Sequence, residues 1–153
     1  MRKTLISTVT AIALGATLAL PAVAEPTPED AAKYRQYVMR ALSGHFGALT
    51  MTARGLAGDP ANMRIHSAAL VTLAAEAGPA FAAAGGAPVE DTEALPAIWE
   101  DADGFAAAVD EFAAAAAALD AAIASGDSDA VAAAHRDTGA ACKGCHEDYR
   151  LDD

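Results

Sequence analysis

The chain of 153 residues is long enough for one compact domain with a single core and short for two. It carries 21 acidic against 10 basic residues, a net charge of −11. That sign excludes nucleic acid and anionic membrane surfaces as partners, because both attract basic proteins. A basic protein partner stays open, beside the plainer reading that the charge keeps the chain soluble.

In chain order, residues 1–24 read as a cleaved export signal: Arg2 and Lys3 at the start, an apolar stretch from Leu5 to Leu20, and the small-residue site Ala22-Val23-Ala24. Ser7, Thr8, Thr10, Gly15 and Thr17 interrupt that stretch and Pro21 follows it, which suits a signal better than a membrane anchor. The expected mature domain is residues 25–153, with a net charge of −13 and a periplasmic destination.

Alanine is abundant and β-branched residues are sparse, so helix is favoured throughout. The first helix is expected to open at Thr27-Pro28-Glu29-Asp30, with Thr27 as cap, Pro28 in the first turn and Asp30 completing a capping-box-like pattern. Its inward stripe is Arg35, Met39, Leu42, Phe46 and Leu49, and Gly55 to Gly58 close it. The second opens at Asp59-Pro60, carries Met63, Leu70 and Leu73, and stops at Gly78-Pro79. From Gly78 to about Glu100 no period is sustained, which predicts a long connection that crosses the molecule. The third runs from about Asp101 to Ser125 with Phe105, Val109, Phe112, Leu119 and Ile123 on one side, and Gly126 ends it. The fourth opens at Asp127 or Ser128 and places Val131, His135, Thr138, Cys142, Cys145 and Tyr149 on one stripe. Two short connections flanking a long one make an all-α, antiparallel four-helix bundle the natural architecture. The eight aromatic residues of the mature chain and the six alanines from Ala113 to Ala118 leave little bulk for a core. Either the helices pack very closely or something large and apolar fills the space.

Both cysteines lie in Cys142-Lys143-Gly144-Cys145-His146. A disulfide between them would close almost no loop and stabilise little. The C-x-x-C-H spacing is that of covalent haem c attachment: two thiols add to the two vinyl groups on one porphyrin edge and the adjacent imidazole reaches the iron. Cys142 and His146, four apart, share a helix face, and Gly144 is expected to leave room for the macrocycle. The competing readings are a redox dithiol and a zinc site. A dithiol normally sits at a helix start after a strand, and the remaining histidines, His45, His66 and His135, are scattered singletons rather than a second knuckle. His45 lies off the first stripe and reads as a rim residue, and His135 is read the same way.

These residues together resemble the class II c-type cytochromes, the family of cytochrome c′ and its low-spin, methionine-ligated relatives. The resemblance covers the mature chain and rests on Pro28-Glu29-Asp30, Lys33-Tyr34-Arg35-Gln36, Gly44-His45-Phe46-Gly47, Pro96-Ala97-Ile98-Trp99 and the C-terminal Cys142-Lys143-Gly144-Cys145-His146-Glu147-Asp148-Tyr149-Arg150. It implies a four-helix bundle, homodimeric in many members, around one covalent haem c. It also implies His146 as proximal iron ligand, Arg35 and Gln36 near the haem and its propionates, Glu93 at the haem edge and Arg150 by the proximal face. Arg35 on an apolar stripe fits a propionate partner; an arginine snorkelling to solvent is the alternative. Met39 occupies the distal position. As a sixth ligand it would make the protein a periplasmic electron carrier serving redox proteins, the favoured expectation. As mere packing it would leave a five-coordinate iron open to nitric oxide or carbon monoxide. An enzyme is not expected, because the distal stripe offers Leu42 and Phe46 rather than acid–base groups.

Overall fold

The computed structural model describes residues 25–82 and 89–151, so the export-signal reading of residues 1–24 falls outside it. Four long helices form: α1 (Pro28–Ala53), α2 (Met63–Ala77), α5 (Ala102–Ser125) and α6 (Ser128–Tyr149), with two short ones between, α3 (Pro79–Ala82) and α4 (Ala97–Glu100). Among the described residues no strand forms; Ala94 and Arg150 make a single antiparallel bridge.

Local chemistry sets the helix ends. Thr27 accepts a hydrogen bond from the Asp30 amide at 3.1 Å, with Pro28 in the first turn. Asp30 answers by accepting the Thr27 hydroxyl at 2.9 Å rather than by reaching the cap's backbone. Asp59-Pro60 opens a 3₁₀ turn, Pro60–Asn62, before α2 begins. Asp127 caps α6 by accepting the amides of Asp129 and Ala130. Gly126 ends α5 at φ 73°, a left-handed conformation that glycine takes without a Cβ penalty.

Two corrections apply to the connection after α2. Gly78-Pro79 ends α2, but Pro79 starts the further short turn α3, since a proline is tolerated wherever a helix begins. Near its far end Ala97–Glu100 is also helical. Residues 89–96 form a strap held to α1, where the Gln36 side chain donates to the Asp91 carbonyl at 2.7 Å. The same strap then joins the end of α6, where the Leu151 amide donates to the Glu93 carbonyl at 2.7 Å and the Leu95 amide to the Tyr149 carbonyl at 3.0 Å.

α1 packs along α2, α2 along α5 and α5 along α6. The aromatic shortage is met in both of the ways the composition allowed. Alanines let the backbones approach, with Ala31, Ala32, Ala74, Ala77, Ala80, Ala116 and Ala141 all buried around Leu49, Leu70 and Leu119. Where α1 faces α6 across the bundle, the space is left open as a cavity of about 470 Å³.

Candidate functional site

The cavity is walled on one side by Arg35, Gln36, Met39, Leu42 and Phe46 of α1 and on the other by Ala141, Cys142, Cys145, His146, Tyr149 and Arg150 of α6. Phe105, Val109 and Phe112 of α5 form the floor, and Thr92, Glu93 and Ala94 of the strap lie at its rim. Its volume falls within the roughly 300–1,000 Å³ usual for cofactor sites. All seven residues expected at the site, Cys142, Cys145, His146, Met39, Arg35, Gln36 and Glu93, therefore border one space.

On α6 the two thiols are half-buried and not joined to each other, while His146 is more exposed. Burial pushes the Cys142 thiol up, and burial followed by the neighbouring Cys142 and Asp148 pushes Cys145 up. A reactive dithiol needs the opposite, a lowered thiol in an electropositive setting, so this environment disfavours redox-disulfide chemistry. The His146 imidazole is held below the ordinary value by burial first and by the Arg150 charge second, against an opposing pull from Glu93. That direction favours the neutral imidazole, the form in which histidine binds metals. Among the described residues no group of three or more His, Cys, Asp or Glu converges as a metal cage, which removes support for the zinc reading.

Arg35 is 5% exposed, so it does not snorkel to solvent. Its guanidinium lies 5.6 Å from the Phe81 ring centroid and 5.4 Å from that of Trp99, yet its Nε has no hydrogen-bond partner among the described residues. Trp99 is itself held by donating its indole N–H to the Phe81 carbonyl at 3.0 Å. A buried cationic donor without an acceptor is costly, and burial lowers the Arg35 pKa accordingly. An anionic ligand oxygen in the cavity would satisfy it. The donor set thus fits haem c: two thiols and an imidazole on one wall, an apolar interior, and an unpaired buried arginine suited to a propionate.

Gln36 and Glu93 border the cavity, and each also gives one polar atom to the fold, Gln36 Nε2 donating to the Asp91 carbonyl and Glu93 Oε2 accepting from Arg150 Nε at 2.7 Å. Other expectations are revised. Gly144 is exposed and an added Cβ there would meet open space, so the protein's own atoms set no need for glycine. His45 is no rim residue: it is half-buried against His66. His135 is also half-buried, bonded to Thr50 Oγ1 at 2.9 Å and stacked on Phe46 with centroids 4.6 Å apart. Sequence reading missed a further link, Asp101 to Tyr149. The Tyr149 hydroxyl donates to Asp101 Oδ2 at 3.0 Å while Oδ1 of the same carboxylate caps α5 through the Gly104 amide. The only signal for it was an aspartate at a helix start, which explains the cap and not the tyrosine.

A helical bundle with a C-terminal C-x-x-C-H beside such a cavity defines a class II c-type cytochrome. The profile of the Cytochrome C′ family matches residues 30–150. Cytochrome c′ of Rubrivivax gelatinosus is 41% identical over 123 residues, covering 80% of this chain and 95% of that protein. Cytochrome c-554 of Cereibacter sphaeroides is 45% identical over 98 residues, covering 64% and 70% respectively. Among solved structures, a ferrous variant of cytochrome c prime from Alcaligenes xylosoxidans with bound NO aligns with a TM-score of 0.72 at 38% identity, over 82% of this chain and 97% of that one. The chain belongs to the cytochrome c′ family. It is accordingly a monohaem c-type cytochrome, with one covalent haem c and its iron as cofactor.

Proposed function

We propose that Cys142 and Cys145 hold the haem by thioether links, that His146 binds its iron, and that the opposite side takes up nitric oxide or carbon monoxide. The observation that carries this reading is the packing of Met39. Its side chain is half-buried against the apolar cluster of Leu42, Leu70 and Phe112, so it already has partners as a wall of the cavity. The reading is further supported by likeness to a protein with NO bound. Bound haem supplies an iron with a position for a small ligand. The chain supplies the rest: Arg35 an unsatisfied donor for a propionate, Met39, Leu42 and Phe46 an apolar wall that disfavours water and charged ligands, and the strap a rim pinned by Glu93 and Arg150. That wall carries no acid or base, so binding rather than turnover is its chemistry.

A second reading, an electron carrier with Met39 as sixth ligand, is favoured by one observation: Met39 and His146 border the same cavity from opposite helices. In either reading we place the protein in the periplasm, where redox partners would meet its acidic surface; no helix of the described residues is long and apolar enough to cross a membrane. Absorption spectra decide between the two. A high-spin ferric spectrum and a ferrous spectrum that shifts with carbon monoxide support gas binding. A low-spin spectrum indifferent to the gas, converted to high-spin by Met39→Ala, would replace it with electron transfer.

A further inference from the structure

Outside the haem cavity, two histidines from different helices meet. His45 on α1 and His66 on α2 bring Nδ1 to within 3.0 Å of Nδ1, with ring centroids 5.3 Å apart. Both are half-buried and neither borders the haem cavity. At this separation the Nδ1–H of one ring donates to the Nδ1 lone pair of the other. A transition cation wants the same two nitrogens, both as lone-pair donors.

We propose that His45 and His66 form a second metal site, a cis bis-imidazole chelate for a divalent first-row cation, Cu²⁺ foremost. With metal–nitrogen bonds of about 2.0–2.1 Å, a chelate that keeps the nitrogens near their present 3.0 Å would subtend about 95° at the metal. That is near the right angle of tetragonal Cu²⁺ or Ni²⁺ sites and short of the tetrahedral angle of structural zinc. In the metal-free pair the rings meet nearly head-on, so binding turns each ring until the lone pairs converge. The shared hydrogen bond opposes that turn, and neither imidazole has another hydrogen-bond partner among the described residues. The donating ring loses its Nδ1 proton to solvent and gains one at Nε2, and both stay neutral.

The surroundings favour a cation. A concavity of about 200 Å³ adjoins His66 and is lined by Asp59, Asn62, Met51 and Thr52, giving space for water ligands and a nearby carboxylate. Asp59 Oδ1 accepts the Ala61 amide, which leaves its other oxygen for a metal-bound water. The net charge of −11 raises the local concentration of cations. One ion would also tie α1 to α2 beyond the turn that joins them.

The test is a Cu²⁺ titration of the haem-loaded protein, followed by copper's own EPR signal and by the melting temperature. The expected result is one equivalent of Cu²⁺ with hyperfine splitting from two nitrogens, a copper-dependent rise in melting temperature, and unchanged haem absorption. His45→Ala and His66→Ala should each weaken binding by about 10- to 100-fold, at least the loss caused by removing a supporting partner. If an alanine variant fails to load haem, the asparagine variant at the same position, His45→Asn or His66→Asn, replaces it, with haem absorption as the check on folding. Equal copper affinity in the native protein and both variants, or splitting from a single nitrogen, overturns the proposal and leaves the pair as a hydrogen-bonded pin between helices.

Discussion

Arg35 and His135 are both stripe residues whose surroundings, rather than their type, define their work. Arg35 is buried with an Nε unpartnered among the described residues, so its charge is a cost to the empty chain that a propionate, in the proposed role, would offset. Arg35→Leu should therefore destabilise the haem-loaded protein by about 3–5 kcal/mol, the cost of stranding one member of a buried ion pair. Urea unfolding of the haem-loaded variant checks it; a loss under about 0.5 kcal/mol would mean that no anion pairs with Arg35. His135 makes a pH prediction. The Thr50 hydroxyl donates to the Phe46 carbonyl, so its oxygen accepts Nε2–H from His135 and Nδ1 is the titrating atom. Burial first, and the Arg54 charge second, hold this imidazole below the ordinary value of about 6.5. The folded state then binds fewer protons than the unfolded chain in the window between the two values, so stability falls as pH drops below about 6.5. His135→Phe, which keeps an aromatic face for Phe46 but cannot titrate, should cost about 1 kcal/mol near pH 8 through the lost hydrogen bond. That deficit should shrink as pH falls towards 5. Unfolding curves at both pH values test this, and a deficit constant across pH would rule it out. Of these features, a buried charge at Arg35 was readable from an arginine on an apolar stripe. The His135 environment was not, because its hydrogen-bond partner Thr50 lies 85 positions away on α1.

At the scale of elements, what was legible is what is local. Thr27, Asp127 and Gly126 act within a turn of themselves, so the helix ends they set could be read directly. The turns α3 and α4 escaped because four residues are too few to show a helical period, and because Gly78-Pro79 reads as a stop although Pro79 also serves as a start. The link between α5 and α6 was equally hidden. Asp101 divides one carboxylate between the first turn of α5 and the hydroxyl of Tyr149, four residues after Cys145. Gly104 lies against this pair, where a side chain would collide with Asp101 and Tyr149. Asp101→Ala removes a cap worth about 1 kcal/mol and a charge-assisted hydrogen bond worth about 1.5–3 kcal/mol. We expect a combined loss of about 2–4 kcal/mol. Asp101→Asn keeps the cap and should recover roughly the first part. Thermal unfolding of the two variants separates the contributions; equal losses would show that the tyrosine bond alone matters.

For the whole molecule, the attachment motif and the cavity constrain each other. Covalent haem attachment demands fixed local spacing, so Cys142, Cys145 and His146 were visible in the sequence. The meeting of Arg35, Met39 and Glu93 with them is tertiary and was accessible only through resemblance to a family. The bundle explains why it occurs: α1, α2, α5 and α6 pack in series, and α1 and α6 are bridged at one end by His135 with Thr50 and Phe46 while a space of about 470 Å³ separates them at the other. That space holds much of the volume which the alanine-rich α5 does not fill, so the haem is as much a core element as a cofactor. A Cys142→Ser, Cys145→Ser double variant, exported without covalent haem, should keep most of its helical signal, because the caps at Thr27 and Asp127 are local to their own helices and lie outside the cavity. It should lose near-ultraviolet aromatic circular dichroism, since Phe46, Phe105, Phe112 and Tyr149 line the emptied space. Its exposed apolar walls should bind a hydrophobic dye, and its unfolding should broaden. A sharp, native-like transition with no dye binding would instead mean that the helices close over the cavity on their own. The alanine faces would then suffice as a core, and the haem would contribute function without structure.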